Sequence, residues 1–216
     1  MFRSNHGPGR DGKPGGRRDS SRRLLFRYND AGGGLYNGNH YVGAEVGTTY
    51  RGGVLFTIPA GQTVLAAELA LDAKNVPDGP NTLEIYEVTA SGAVLIASGG
   101  GVATYTDLGD GPQYASVPGV TSNLSLSINL DATAIAAINA AQGGQFAVGL
   151  VNANATNTAS TDGIFGGGLS TDIRDLVLTR AGPAPVPTLS DWAMILFGLI
   201  LAGGAAVYIQ RREMAA

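Results

Sequence analysis

Residues 63–73 read TVLAAELALDA, and their alternation predicts the class of the fold. One set of alternate positions is entirely apolar and comprises Leu65, Ala67, Leu69 and Leu71. The other set includes Glu68 and Asp72. Because successive side chains of a strand point to opposite faces, we expect a β-strand whose apolar set makes a buried face.

Strand signals continue on both sides of this segment. We predict further strands at residues 50–58, 81–89, 93–98, 123–130, 144–153 and 175–180. A single helix is predicted at 131–142, with Asp131 as its N-cap and Gly143 as its C-terminal stop. Ile135 and Ile138 lie three residues apart and are expected to face the core. The pattern predicts a mainly β protein: an antiparallel, jelly-roll-like β-sandwich with one short helix.

The composition narrows the classes of function. The chain has 216 residues, of which 33 are glycine and only 14% are charged. Glycine is costly inside helices, so this favours a turn-rich β body over a helical bundle. There is no cysteine, which excludes a disulfide framework, zinc-finger spacing and a thiol nucleophile. Beyond residue 27 the body is acidic, and we expect no nucleic-acid partner because phosphates require Lys and Arg.

The first 27 residues are strongly basic and hold eight of the 14 Lys and Arg residues. With almost no apolar content before Leu24, this segment is predicted to be a disordered tail. SRRLLF loosely resembles a twin-arginine export motif, but RYNDAGGG follows where an apolar h-region is needed. We interpret the beginning of the reading frame as mis-assigned, with a signal peptide in the native protein. The competing interpretation is a tail-anchored protein with a cytoplasmic body.

Few residues of the body suggest catalysis. His40 has no accompanying G-x-S-x-G motif, so a Ser-His-Asp triad has no support. Glu84 and Glu87 lie three apart on a predicted strand and point to opposite faces, which removes the argument for a glycosidase pair. We therefore predict that the protein is not an enzyme.

Two other groups in the body leave alternatives open. Asp107 and Asp110, in DLGDG, are compatible with calcium binding or with an ordinary turn, and EF-hand spacing is absent. Calcium is the only cofactor kept open. Several tyrosines are compatible either with stacking on sugar rings or with packing in the sandwich: Tyr36, Tyr41, Tyr105 and Tyr114.

The C-terminal tail carries the strongest functional signal. A Pro-rich linker at 181–191 precedes Trp192 and the uncharged stretch 193–209. As a helix rising ~1.5 Å per residue, that stretch extends about 25 Å, slightly less than the ~30 Å hydrocarbon core of a membrane. Arg211 and Arg212 follow, and the positive-inside rule places them in the cytoplasm with the body outside.

One face of this predicted membrane helix is lined by small residues. Gly198, Ala202 and Ala206 recur every four positions, which suits close packing of another helix. Ordinary membrane-helix composition is the alternative explanation.

The start of the tail resembles the IPTL-CTERM sorting signal, a relative of PEP-CTERM. The matching residues are Val186, Pro187, Thr188, Leu189, Ser190, Asp191 and Trp192. Relative to IPTLSEWG, this chain has Val for Ile, Asp for Glu, and Ala193 for Gly. The resemblance implies recognition by an exosortase-type membrane transpeptidase of Gram-negative bacteria, removal of the helix, and delivery to the cell surface or the extracellular space.

The body also resembles a family. NHYVG (39–43), YRGGVLFTIP (50–59), LEIYEVT (83–89) and YTDLGDGPQYAS (105–116) occur in the order found in secreted bacterial proteins with PEP-CTERM-type tails. They are also similar to DNRLRE-type β-sandwich modules, although VLFTIP lacks the aspartate of the FDL motif. This resemblance implies a fold and a location but no reaction.

These observations predict four segments: a basic tail (1–27), a β-sandwich (28–180), a linker with the sorting motif (181–191), and a transmembrane helix with its basic stop (192–212). The expected function is that of a non-enzymatic protein, anchored by one helix in the inner membrane before processing and then sorted to the cell surface. A carbohydrate-binding module is the alternative, and a hydrolase is a third and weaker one. The expected partners are membrane lipid, the exosortase-type enzyme and, on the alternative, exopolysaccharide.

Overall fold

A computed structural model describes residues 17–18, 24–37, 40–77, 79–156, 162–166, 173–182 and 189–214. The chain forms two compact units, residues 1–181 and 182–216, which we describe separately.

Two antiparallel sheets build the first unit within the described residues. Sheet A has the strand order β1 (Arg17–Arg18), β12 (Arg174–Arg180), β6 (Val64–Ala73) and β9 (Leu124–Asn129). Sheet B has the order β11 (Asp162–Gly166), β4 (His40–Glu45), β5 (Thr48–Thr57), β10 (Gln145–Asn152), β7 (Asn81–Glu87) and β8 (Gln113–Val120). In sheet B, β2 (Leu24–Asn29) also pairs with β5 and with β3 (Gly34–Asn37). The prediction of a mainly β, antiparallel protein is confirmed.

Both sheets contribute to one hydrophobic core. Sheet A supplies Leu69, Leu71, Leu126 and Leu176, and sheet B supplies Val54, Phe56, Leu83, Ile85, Val148 and Leu150. The predicted helix is confirmed as α3 (Ala132–Ala140). The Asp131 carboxylate caps it by accepting a hydrogen bond from the Ala134 N–H at 2.8 Å. Ile138 is fully buried against the core, and Ile135 is partly buried.

The prediction of a strand at 93–98 was wrong. Within the described residues of the first unit, the chain there forms two further short helices, α1 (Gly92–Ile96) and α2 (Gly101–Asp107). Short apolar runs do not distinguish a strand from a helix by periodicity alone. Here Ser91 acts as an N-cap, because its hydroxyl accepts a hydrogen bond from the Val94 N–H at 3.4 Å.

These two helices cover the outer face of sheet B and create a second, smaller core. It contains Phe26, Tyr28, Leu55, Leu95, Leu108 and Ala147. In β5, Val54 and Phe56 point into the first core and Leu55 into the second, as the alternation of a strand requires. Gly149 of β10 permits the contact, since a Cβ there would overlap the carbonyl oxygen of Leu108.

The alternation predicted for β6 holds in its centre and fails at its ends. Leu65 is 59% exposed and Val64 is buried, because β6 pairs Val64 with Arg180 and Ala66 with Thr179, which leaves Leu65 as the extra residue of a β-bulge. At the other end Asp72 is only 3% exposed, because its carboxylate accepts internal hydrogen bonds.

The predicted start of the body at residue 28 was too late. Strand β2 begins at Leu24, and Leu25 and Phe26 are buried. The apolar end of SRRLLF is therefore part of the core and does not belong to a disordered tail. Arg17 and Arg18 pair with Leu178 and Val177 of β12. The remaining residues before Leu24 lie outside the described part of the chain.

Candidate functional site

The second unit consists, where it is described, of one helix, α4 (Leu189–Glu213). The helix was expected to start at Trp192 but begins three residues earlier, so the second half of VPTLSDW is helical. Asp191 lies in its first turn. Val186, Pro187 and Thr188 lie outside the described residues.

Helix α4 has the length and composition of a membrane span. From Trp192 to Glu213 its 22 residues have a mean hydropathy of 2.1 in the most apolar window, and none of that window is buried in the protein. At ~1.5 Å per residue the whole segment extends about 33 Å and its uncharged part, residues 193–209, about 25 Å, compared with ~30 Å for a hydrocarbon core. A helix of a soluble core would bury such residues, whereas Phe197 and Leu199 are 63% and 67% exposed.

The two ends of α4 differ in chemistry. Trp192, 59% exposed, stands at the N-terminal end of the apolar segment, where an indole ring suits a membrane–water interface. Arg211 and Arg212 occupy the last turn, where positive charge also complements the helix dipole. By the positive-inside rule, basic residues at this end favour a cytoplasmic C-terminus for a helix that spans the membrane.

The predicted packing face of α4 is open. Gly198, Ala202 and Ala206 are all exposed, and a Cβ added at Gly198 would have nothing within 4 Å. A role for this face in helix pairing stays a prediction.

Asp107, one of the two carboxylates considered for calcium, makes hydrogen bonds within the fold. Both carboxylate oxygens of Asp107 accept hydrogen bonds, from the Thr89 N–H at 3.0 and 3.1 Å and from the Ala90 N–H at 2.9 Å. Asp107 thereby fastens the end of α2 to the turn after β7, and Asp110 lies in the following turn. Calcium binding there stays a prediction. Among the described residues, no group of three or more His, Asp and Glu side chains is placed to hold a metal.

Three of the four tyrosines considered for sugar stacking make contacts within the fold. Tyr41 is 4% exposed and donates a hydrogen bond to the Ala44 carbonyl, and Tyr114 is 2% exposed. Tyr105 bonds to Thr49 through its hydroxyl at 2.7 Å and lies under the Arg51 guanidinium at 4.6 Å. Of the two alternatives, packing applies to Tyr41 and Tyr114, and the side chains of Tyr36 and His40 lie outside the described set.

The carboxylates of Glu84 and Glu87 in β7 have different surroundings, as expected for residues three apart on a strand. Glu84 accepts a hydrogen bond from the Tyr86 hydroxyl at 2.7 Å, whereas Glu87 lines a cleft beside Tyr114. Nothing in the sequence pattern pointed to that cleft, because its walls come from segments far apart in the chain.

The structure thus defines a class: a mainly β protein followed by a separate, exposed apolar helix that could span a membrane, with a basic end. Residues 184–212 match the family model described as the IPTL-CTERM motif. The chain therefore carries a C-terminal sorting signal, which fits an exported precursor anchored in the membrane. The match covers the tail alone and leaves the body unassigned. The curated proteins contain no match to this chain.

Proposed function

We propose that this protein is a non-enzymatic component of the cell envelope or the extracellular matrix, delivered to the cell surface after an exosortase-type membrane enzyme removes α4. The observation that carries the proposal is the exposed apolar helix Trp192–Glu213 within a segment that matches the sorting-signal family. In this proposal α4 is a temporary anchor and the body is the exported part.

The order of residues along the tail supports this topology. Arg211 and Arg212 favour a cytoplasmic C-terminus, and a short tail carrying them would have to cross the membrane in a tail-anchored protein with a cytoplasmic body. The body and the motif residues before Trp192 are then on the outer side. A processing enzyme embedded in the membrane would meet the motif at a fixed distance from the bilayer.

The internal contacts of the body support a non-enzymatic role. The chain has no cysteine nucleophile, and the side chains of Asp107, Glu84 and Tyr105 make hydrogen bonds within the fold.

The test is the double variant Pro187→Ala with Thr188→Ala, produced in a host with the matching sorting enzyme and with an epitope in the body. Proline lacks an N–H and restricts the residue before it, so its loss allows the helix to extend through the motif. We expect full-length protein to accumulate in the inner membrane. Pro183→Ala, in the same linker but before the matched segment, is the control and should be processed like wild type. Release of the double variant as efficient as that of wild type would show that VPTLSDW is only a linker and an anchor.

A further inference from the structure

A cleft of about 410 Å³ in the body has no part in the sorting signal. It lies between the end of β7, the C-terminal half of α3 and the beginning of β10. The apolar part of its walls includes Leu55, Ala137, Ala140, Ala141, Phe146 and Ala147. Ala137 and Ala140 of α3 and Ala141 just after it leave open space that larger side chains would fill. The volume lies within the ~300–1,000 Å³ range of small-ligand pockets.

Five polar side chains also line this cleft: Glu87, Thr89, Ser91, Tyr114 and Gln145. The Thr89 hydroxyl donates to Asp107 and the Ser91 hydroxyl accepts from the Val94 N–H, which leaves Glu87, Tyr114 and Gln145 for a ligand. The Tyr114 ring is 2% exposed and stacks on Phe146, with ring centroids 6.1 Å apart and planes inclined by 22°. Its hydroxyl is buried beside the Glu87 carboxylate, and the interaction between the two falls short of normal hydrogen-bond geometry. A buried hydroxyl without a well-formed hydrogen bond is unfavourable, so this group can still bond to a ligand.

The electrostatics of the cleft favour a cation. Glu87 is the only charged side chain among the residues that line it. Burial raises the pKa of Tyr114, and the negative charge of Glu87, a hydrogen bond to Glu87 and the charge of Asp131 raise it further, so the phenol stays protonated and neutral. The Asp131 carboxylate caps α3 and adds negative potential close by. Only glycine at position 92 leaves room for the side-chain oxygen of Gln145.

We propose that this cleft binds a primary ammonium group carried on a short apolar body. An ammonium has three N–H donors and no acceptor, and Glu87, Tyr114 and Gln145 offer three acceptor groups. The carboxylate supplies a charge-assisted hydrogen bond, and the alanines and Phe146 accommodate the apolar part. A divalent metal is less suited, because Ca²⁺ takes six to eight oxygen ligands and one carboxylate lines the cleft.

The alanine methyl groups of the walls provide the readout. The full chain, in non-ionic detergent micelles and labelled at its alanine methyl groups, is titrated with n-butylammonium chloride. We expect saturable shifts of the Ala137, Ala140, Ala141 and Ala147 resonances. The neutral isostere n-butanol should bind at least about tenfold more weakly, because it lacks the charge.

Two variants test the polar contacts. Glu87→Gln should weaken n-butylammonium binding by about tenfold or more, and Tyr114→Phe, which keeps the ring, by several-fold. Glu45→Gln makes the same change of charge at an exposed position and should bind like wild type. Equal affinity for n-butylammonium and n-butanol, absence of saturable shifts, or displacement of the amine by Ca²⁺ would each overturn the proposal. The comparison of the two probes on the wild-type chain decides it even where a variant does not fold.

Discussion

Asp72→Asn is expected to destabilise the body, because one buried carboxylate joins three segments of sheet A. The carboxylate accepts hydrogen bonds from the Ser125 hydroxyl at 2.6 Å and from the Ile173 N–H at 2.9 Å. Ser125 belongs to β9, and Ile173 immediately precedes β12. The Lys74 ammonium lies 3.2 Å away. Asp72 itself is 3% exposed, so water cannot replace a lost partner at little cost.

The size of the effect follows from these contacts. Hydrogen bonds to a charged group contribute about 1.5–3 kcal/mol each. Asparagine keeps one acceptor oxygen, but its NH₂ group cannot accept the Ile173 N–H or pair with Lys74. The pair with Lys74 contributes little, because the lysine side chain is 45% exposed. The expected loss is therefore about 2–3 kcal/mol, that of one charge-assisted bond.

The same contacts predict a pH dependence. Burial raises the pKa of Asp72, but hydrogen bonds from Ser125, Ile173 and Lys74 outweigh it, and the pKa lies below its usual value. The unfolded chain therefore binds this proton first as the pH falls. The stabilisation is fully present above the unfolded pKa of about 3.9 and is lost as the pH falls through the folded value. The free energy of unfolding of Asp72→Asn should therefore fall less than that of wild type below about pH 4. Some pH dependence should remain, because the pKa of Asp30 is also lowered, chiefly by the hydrogen bond from the Thr49 N–H.

Urea unfolding of the full chain in detergent, followed by far-ultraviolet circular dichroism, measures both effects. The urea concentration at the transition midpoint should fall, while the dependence of the free energy of unfolding on urea concentration should stay constant. Asp110→Asn removes the same charge at an exposed turn position and serves as the control. The reasoning fails if Asp72→Asn stays within about 0.5 kcal/mol of wild type, the range of an ordinary surface substitution. It also fails if the variant loses as much stability between pH 7 and pH 3 as wild type does.

Three further predictions concern the two units and the packing on sheet B. Residues 24–182 produced alone should be soluble and give a β-dominated circular dichroism spectrum, since the strands and α3 precede the linker; a random-coil spectrum would contradict this. Gly149→Ala should lower the free energy of unfolding by about 1–3 kcal/mol through the clash with Leu108, whereas Gly182→Ala, where the added Cβ would have no atom within 4 Å, should have no effect in the same urea assay. Leucine at Gly198, Ala202 and Ala206 together keeps α4 apolar but removes its small-residue face, and an immunoblot for tail removal should show slower processing; an unchanged rate would exclude that face from recognition.

Segments with one dominant signal were predictable from the sequence. Asp131 followed by an Ala-rich run identified α3, because an N-cap and helix propensity act locally. Residues 193–209 identified the apolar helix, because an uncharged run of that length has few stable environments outside a membrane. In the same way VPTLSDW identified the sorting signal without any knowledge of the body.

Segments whose conformation depends on distant partners were not predictable. AVLIAS at 93–98 is apolar enough for either a strand or a helix. It became α1 because Leu95 packs with Phe26, Tyr28 and Leu55 on the outer face of sheet B. Residues 24–27 have a basic flank that suggested disorder, yet pairing with β5 buries Leu25 and Phe26.

The sequence by itself determined the antiparallel β class, α3 and the C-terminal signal, because alternation, capping and uninterrupted hydrophobicity act over neighbouring residues. Only the tertiary structure decided the bulge at Leu65, the burial of Asp72 and the cleft beside Glu87. Each of these depends on partners far away in the chain: Arg180 for the bulge, Ser125 and Ile173 for Asp72, and Tyr114 and Gln145 for the cleft. A local pattern carries no information about such partners until the sheets and α3 bring them together.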